Sequence, residues 1–230
     1  MHASVIPHFA IGEGYAVYRG PTTAGTLHRH AAFQIMIGMD DEVGVIDAAD
    51  VTHRATALVV PPMQRHCLLA TADVVTYFVE PHCAFADRLR EHYGDGITEA
   101  PGLKGLSEDD VRPAGIRGSD ELDPRLVDAL NTLADSDIAL PDLAADVGLS
   151  PQRLRALARQ QLGMPLARWR VWTRLRRAAE ALQRGQSLAD AATEAGFADQ
   201  AHLTRQMREM MGLTPSALLP IVRSHSLRAT

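Results

Sequence analysis

The sequence predicts an α+β chain of two parts, an N-terminal β-barrel or sandwich followed by an all-helical C-terminal domain. Three observations carry this. Up to about residue 80, short apolar or alternating runs are punctuated by Gly, Pro and Asp, the pattern of strands joined by turns. From residue 123 onward, apolar residues recur at helical spacing behind residues that cap helices. Charge is split the same way. Residues 1–149 carry 10 Lys and Arg against 23 Asp and Glu, whereas residues 150–230 carry 13 Arg against 5 Asp and Glu. A net charge of −5 therefore averages an acidic body with a basic part suited to a polyanion.

The totals exclude several classes. Across 230 residues, 46% are hydrophobic and 22% charged, the composition of an ordinary globular protein. No run of apolar residues is long enough to span a membrane, and "MHASVIPHFAIGEG" lacks the basic start and apolar run of a secretory signal. Two cysteines, Cys67 and Cys83, cannot build a disulfide framework, which fits a reducing cytoplasm.

Along the chain, "FQIMIGM", "VGVID", "ATALVV" and "DVVTYFVE" are the clearest strands. "PHCAFADRLREHYG" then has helical spacing and ends at a Gly; this helix can cover the barrel or pack against a partner chain in a homodimer. Residues 101–122, rich in Gly, Pro and acid, read as a loosely ordered linker between residues 1–100 and 123–230. Asp123-Pro124 opens a helix with a cap and a Pro at its first position. Further starts lie at Leu140-Pro141-Asp142 and Ser150-Pro151, and Pro165 opens a long amphipathic helix closed by Gly185.

The helical half contains an internal repeat. "LPDLAADVGLSPQRLRALARQQLGMP" (140–165) aligns with "LADAATEAGFADQAHLTRQMREMMGLTP" (188–215). Gly148 meets Gly196, Leu149 meets Phe197, Gln152 meets Gln200, Gly163 meets Gly212 and Pro165 meets Pro215. In each copy a short helix ends at a Gly, and a capping Ser150 or Asp199 starts a second helix that carries arginines. This is the plan of a helix-turn-helix, at about residues 140–163 and 188–212, whose second helix enters the major groove.

On these residues, and on the bridging "WRVWTRLRRAAEAL", the last hundred or so positions resemble the DNA-binding domain of the AraC/XylS-type transcription regulators. The stretch "GFADQAHLTRQMREMMGLTP" carries the resemblance most specifically. It implies two helix-turn-helix units joined by a rigid helix, a double-stranded DNA operator as partner, and RNA polymerase as a further one. Base and phosphate contacts are then expected from Gln152, Arg153, Arg155 and Arg159 in the first copy, and from Gln200, His202, Arg205 and Arg208 in the second. Ala156 stands where some relatives place a base-contacting Arg, so the second head is expected to read sequence more strongly. Leu157-Ala158 and Gln206-Met207 replace the usual aromatic positions, with Trp169 or Trp172 expected to fill the space beside Ala158.

Members of that family commonly fuse this unit to a cupin-like β-barrel that binds an effector or dimerises, and the first hundred residues are expected to be one. His28 and His30 share a strand face, Gln34 follows, and His66 comes after a Pro-Pro turn. Metal-binding cupins use a similar His-x-His, Glu and distant His, so a site for Zn, Ni, Cu or Fe is one expectation, with the neutral Gln34 in the carboxylate position. The other is a polar pocket for an organic effector. Cys67 and Cys83 offer a thiol or soft-metal sensor, against the commoner buried structural role. The expectation is a transcription factor without catalytic activity, its competitor a metal-dependent cupin enzyme of dioxygenase or isomerase type. The basic repeat favours the regulator.

Overall fold

The computed structural model describes residues 7–223. The N-terminal part consists of β1 (His8–Gly12), β2 (Tyr15–Thr22), β3 (Phe33–Gly38), β4 (Val43–Asp47), β5 (Thr52–Ala55), β6 (Ala57–Val60), β7 (His66–Leu68), β8 (Thr71–Val79) and β9 (Thr98–Glu99). They form two antiparallel sheets, one ordered β1-β2-β8-β3-β6-β9 and the other β5-β4-β7. Of the barrel or sandwich expected from the strand rhythm, and the cupin-like barrel implied by the resemblance, a closed barrel is not found among the described strands. The rhythm marks strands but says nothing of whether the outermost ones meet; here the ladders end at β1, β9 and β5, and beyond the small sheet β7 is joined to the segment before β3 by the isolated bridge of His66 to His28.

β3 shows why the larger sheet sits where it does. All six residues of "FQIMIG" are buried, as in a strand covered on both faces. Phe33, Ile35 and Ile37 belong to the core shared with α1 (Ala84–Tyr93), whereas Met36 packs with Val43 and Val45 of the small sheet. Gln34, on the Met36 face, is thereby held between the sheets, only 1% exposed. The helix expected at "PHCAFADRLREHYG" is α1, and it buries Phe85, Ala86 and Leu89 against the larger sheet's core within the chain.

The segment 101–122 departs from the expected linker. After a short 3-10 turn (Pro101–Leu103) it forms α2 (Glu108–Gly115), capped reciprocally by Ser107 and Asp110. Val111 and Ala114 enter the core around Tyr15 and Phe85. Its Gly and Pro density hid a helix only two turns long, with Pro113 inside it.

The C-terminal part is helical: α3 (Pro124–Asp135), α4 (Leu140–Asp146), α5 (Pro151–Leu162), α6 (Leu166–Gln183), α7 (Leu188–Glu194), α8 (Gln200–Met211) and α9 (Pro215–Arg223). Asp123 caps α3 through Arg125 N, as its sequence predicts. α6 is the axis: Trp169 is fully buried, its Nε1 donating to the Leu130 carbonyl, and with Trp172 it packs in the core beside Ala158. That core also takes in Ala31, Ala32 and Phe78 of the sheet part, so the two halves share one apolar interior. No helix among the described residues is long and apolar enough to cross a membrane.

Candidate nucleic-acid interface and effector cavity

The two repeat copies fold alike. α4 buries Leu143 and Ala144, and α7 buries the matching Ala191 and Ala192. Each then turns at a glycine with positive φ, Gly148 at 67° and Gly196 at 81°, where a β-carbon would be strained. The second helix is capped by a side chain, Ser150 accepting from Arg153 N at 3.2 Å and Asp199 from His202 N at 2.6 Å. Leu154 and Leu157 of α5, and Leu203 and Met207 of α8, face the core, which fixes the opposite face of each helix outward.

That outward face carries the predicted contact residues. Gln152, Arg153, Arg155 and Arg159 on α5, and Gln200, Arg205 and Arg208 on α8, are exposed. None of these side chains forms a hydrogen bond or ion pair with another described residue. His202 differs. It is half-buried, its ring lies edge-on to Phe197 at 5.3 Å, and its Nδ1 accepts from Ala198 N at 3.4 Å, so it braces the turn.

The arginines of α6 are used otherwise. Arg168 pairs with Glu209, Arg170 donates to the Ile138 carbonyl, and Arg174 and Arg177 both reach Asp137. Arg176 pairs with Glu80 at 3.0 Å and donates to the Gly12 carbonyl at 2.6 Å. Glu80, 5% exposed, also accepts from Trp172 Nε1 at 3.2 Å. The basic surplus of the C-terminal half thus divides into an internal set on α6 and an unpaired set on α5 and α8. Sequence reasoning gave no sign of this division, because Glu80 and Asp137 lie far away in the chain.

In the sheet part, His28 and His66 form an isolated antiparallel bridge, each N–H donating to the other's carbonyl at 2.9 Å. Directly opposed residues have neighbouring side chains, and His30, two further on, shares the face. The three imidazoles accordingly cluster, with one nitrogen from each lying within 4.8 Å of the others. His28 Nε2 is 3.1 Å from His30 Nε2. All three are buried, at 4%, 3% and 0% exposure. Burial lowers their proton affinity, His66 to about 4 and His30 well below the usual imidazole value, so all three are neutral near pH 7. The Gln34 amide faces the His30 ring. Neither cysteine joins them: Cys67 Sγ donates to the Gly25 carbonyl, and Cys83 lies in the core beneath α1.

A cavity of about 340 Å3 opens beside this cluster. Phe9, Tyr18 and Phe78 line it from the sheets, Met211, Leu213 and Leu218 from the end of α8 and from α9, and His28, His30 and Gln34 are its polar edge. Sequence reasoning missed the helical wall. The segment 28–30 also grips the last turn of α8. Arg29 pairs with Glu209, the Met210 carbonyl faces His30, and Gly212, the left-handed C-cap at φ 67°, lies directly on the His28 ring. A β-carbon at Gly212 would come within 2.5 Å of His28 Nδ1.

Comparison with known proteins agrees with this division. Residues 143–220 match a family described as "Helix-turn-helix domain". The arabinose operon regulatory protein of Escherichia coli K12 is 36% identical over 85 residues, a match covering 36% of this chain and 29% of that protein. The chain thus matches less than a third of that relative's length. Among solved structures, ToxT from Vibrio cholerae O395 superposes with a TM-score of 0.60 at 11% identity, over 91% of this chain and 98% of that one. The unsaturated fatty acid bound form of ToxT gives 0.58 at 12% identity, over 96% and 98%. At such identity the likeness concerns the fold.

Proposed function

The chain carries a helix-turn-helix domain of the AraC/XylS type, and from that premise we propose that it is a sequence-specific DNA-binding transcription regulator controlled by a small molecule held between its two halves. The observation that carries the reading is the pair of capped helices, α5 and α8, whose exposed Gln and Arg side chains form no hydrogen bond or ion pair among the described residues. Arg donates two hydrogen bonds to guanine O6 and N7, and Gln pairs with adenine N6 and N7. Both need side chains not already committed to ion pairs. On this reading Arg159 and Arg208, further along their helices, hold phosphates.

The effector reading rests on the cavity. Its size falls within the range of small-molecule sites, and its walls are mostly apolar with a few polar groups, His28, His30 and Gln34 among them. It suits a largely apolar molecule with a polar group, and the fatty acid bound by ToxT is a molecule of that kind. An occupant touches both the sheets and the end of α8, so it stabilises one arrangement of the reading head over another and shifts DNA affinity by that difference.

Selection of bound fragments from random double-stranded DNA by the purified chain tests this. A recurrent motif with two half-sites about one helical turn apart is expected. Recovery of unenriched DNA would overturn the reading.

A further inference from the structure

We propose that His28, His30 and His66 form a binding site for one divalent transition-metal ion of the zinc class, seated where the sheets meet the C-terminus of α8. The geometry is that of a ligand set. Three imidazole nitrogens converge within 4.8 Å. Zinc–nitrogen bonds in a tetrahedral site imply about 3.3 Å between ligand atoms, close to the His28–His30 separation of 3.1 Å.

The ring tautomers point the same way. His28 Nδ1 lies 2.7 Å from the Thr26 carbonyl and His66 Nδ1 3.0 Å from the Gln64 carbonyl. A carbonyl only accepts, so each Nδ1 carries the proton and each Nε2 presents a bare lone pair. A backbone carbonyl holding the far N–H is the usual support of a metal-ligating histidine. His66 Nε2 is completely buried and has no hydrogen-bond partner among the described residues, a costly arrangement for a lone pair unless something binds it.

His30 completes the set through Gln34. Its Nδ1 and the Gln34 Oε1 are both buried without a hydrogen-bond partner, and the amide faces the ring. With Nε2 given to a metal, the ring proton sits on Nδ1, with the Met210 carbonyl and Gln34 Oε1 as the neighbouring acceptors. Gln34 is then the positioning residue of His30 and not the fourth ligand. Three protein ligands leave a coordination position, and since His28 and His30 line the cavity, water or an oxygen-bearing ligand there can take it. Three neutral imidazoles with no thiolate or carboxylate suit Zn2+, Co2+, Ni2+ or Cu2+ over Mg2+ or Ca2+.

The same rings bear on α8, through the Gly212 contact to His28 and the Met210 carbonyl at His30. Metal binding fixes both rings and with them the end of the helix that carries Arg205. This coupling rests on the DNA-binding reading above; the site itself does not.

The test is a Co2+ titration of the tag-free full-length chain after chelator treatment, followed by visible absorption. Saturation at one Co2+ per chain is expected, with the bands of nitrogen and oxygen coordination, and Zn2+ should abolish them. His66→Gln should remove binding, and His53→Gln, outside the cluster, should keep it. Gln34→Leu should weaken affinity roughly 10–100-fold if it positions His30. Circular dichroism of each variant separates lost metal from lost fold. Absence of a saturable one-to-one phase in the unmodified chain, or binding unchanged in both His66→Gln and His28→Gln, would overturn the site. Zn2+ should then change the affinity for a selected DNA fragment in the parent chain and leave it unchanged in His66→Gln. An equal affinity with and without Zn2+ in the parent would overturn the coupling. Failure to select any DNA would count against the regulator, and failure to bind Co2+ against the site.

Discussion

Arg205 and Arg176 belong to the same basic half and read alike in the sequence, yet their surroundings assign them opposite work. Arg176 is spent on Glu80 and the Gly12 carbonyl, whereas Arg205 stands exposed and unpaired on the outer face of α8. Arg205→Ala should therefore weaken binding to a selected sequence by about 1–3 kcal/mol and leave binding to random DNA nearly unchanged. Equal losses on both, measured by fluorescence anisotropy, would reduce Arg205 to a phosphate contact. Cys83 gives a second expectation. Burial pushes its thiol up to about 11, so it stays protonated and covered at pH 8. Mass spectrometry after iodoacetamide treatment of the folded chain should find Cys83 unmodified, and modification on denaturation.

At the scale of the element, the helix-turn-helix units were the most legible feature. Their signals are local: Asp199 at the cap, Gly196 in the turn, and Leu203 and Met207 at helical spacing on one face. Asp199→Ala removes the acceptor for His202 N and should cost about 0.5–2 kcal/mol in denaturant unfolding, the usual value of an N-cap. Elements whose evidence is not local were read poorly. α2 lies in a segment whose composition predicts a linker, since its stability comes from burying Val111 and Ala114 against Tyr15 and Phe85 and not from a strong pattern of its own. The strands were recognisable one by one from their alternation, but closure depends on which edges meet, and of the barrel or sandwich that alternation allows the chain forms two sheets with no closed barrel among the described strands. For the histidines the limit is equally specific. A two-residue spacing places His28 and His30 on one face, whereas the arrival of His66 depends on a single backbone bridge between distant segments.

For the whole molecule, the defining feature is how closely the halves are joined. Phe78 packs into the same interior as Trp169 and Trp172, and Glu80 receives both Trp172 and Arg176. Removing one partner of a buried ion pair costs roughly 3–5 kcal/mol, and the 23% exposure of the Arg176 side chain sets the expectation for Glu80→Ala at the lower end. Thermal unfolding should show the loss in a transition shared by both halves. A variant that melted only the sheet part would mean that the interface does not couple them. On the proposed function, the same continuity would let an occupant of the cavity bounded by sheets and α8 influence DNA reading without a long relay. On the proposed function, the exposed arginines of α5 and α8 grip DNA. The most direct test is the affinity of the purified chain for its selected sequence over a series of salt concentrations. A linear fall of log K with log salt is expected, its slope reduced by about 1 when Arg208 is replaced by Ala. No measurable affinity at low salt, or an affinity indifferent to salt, would contradict it.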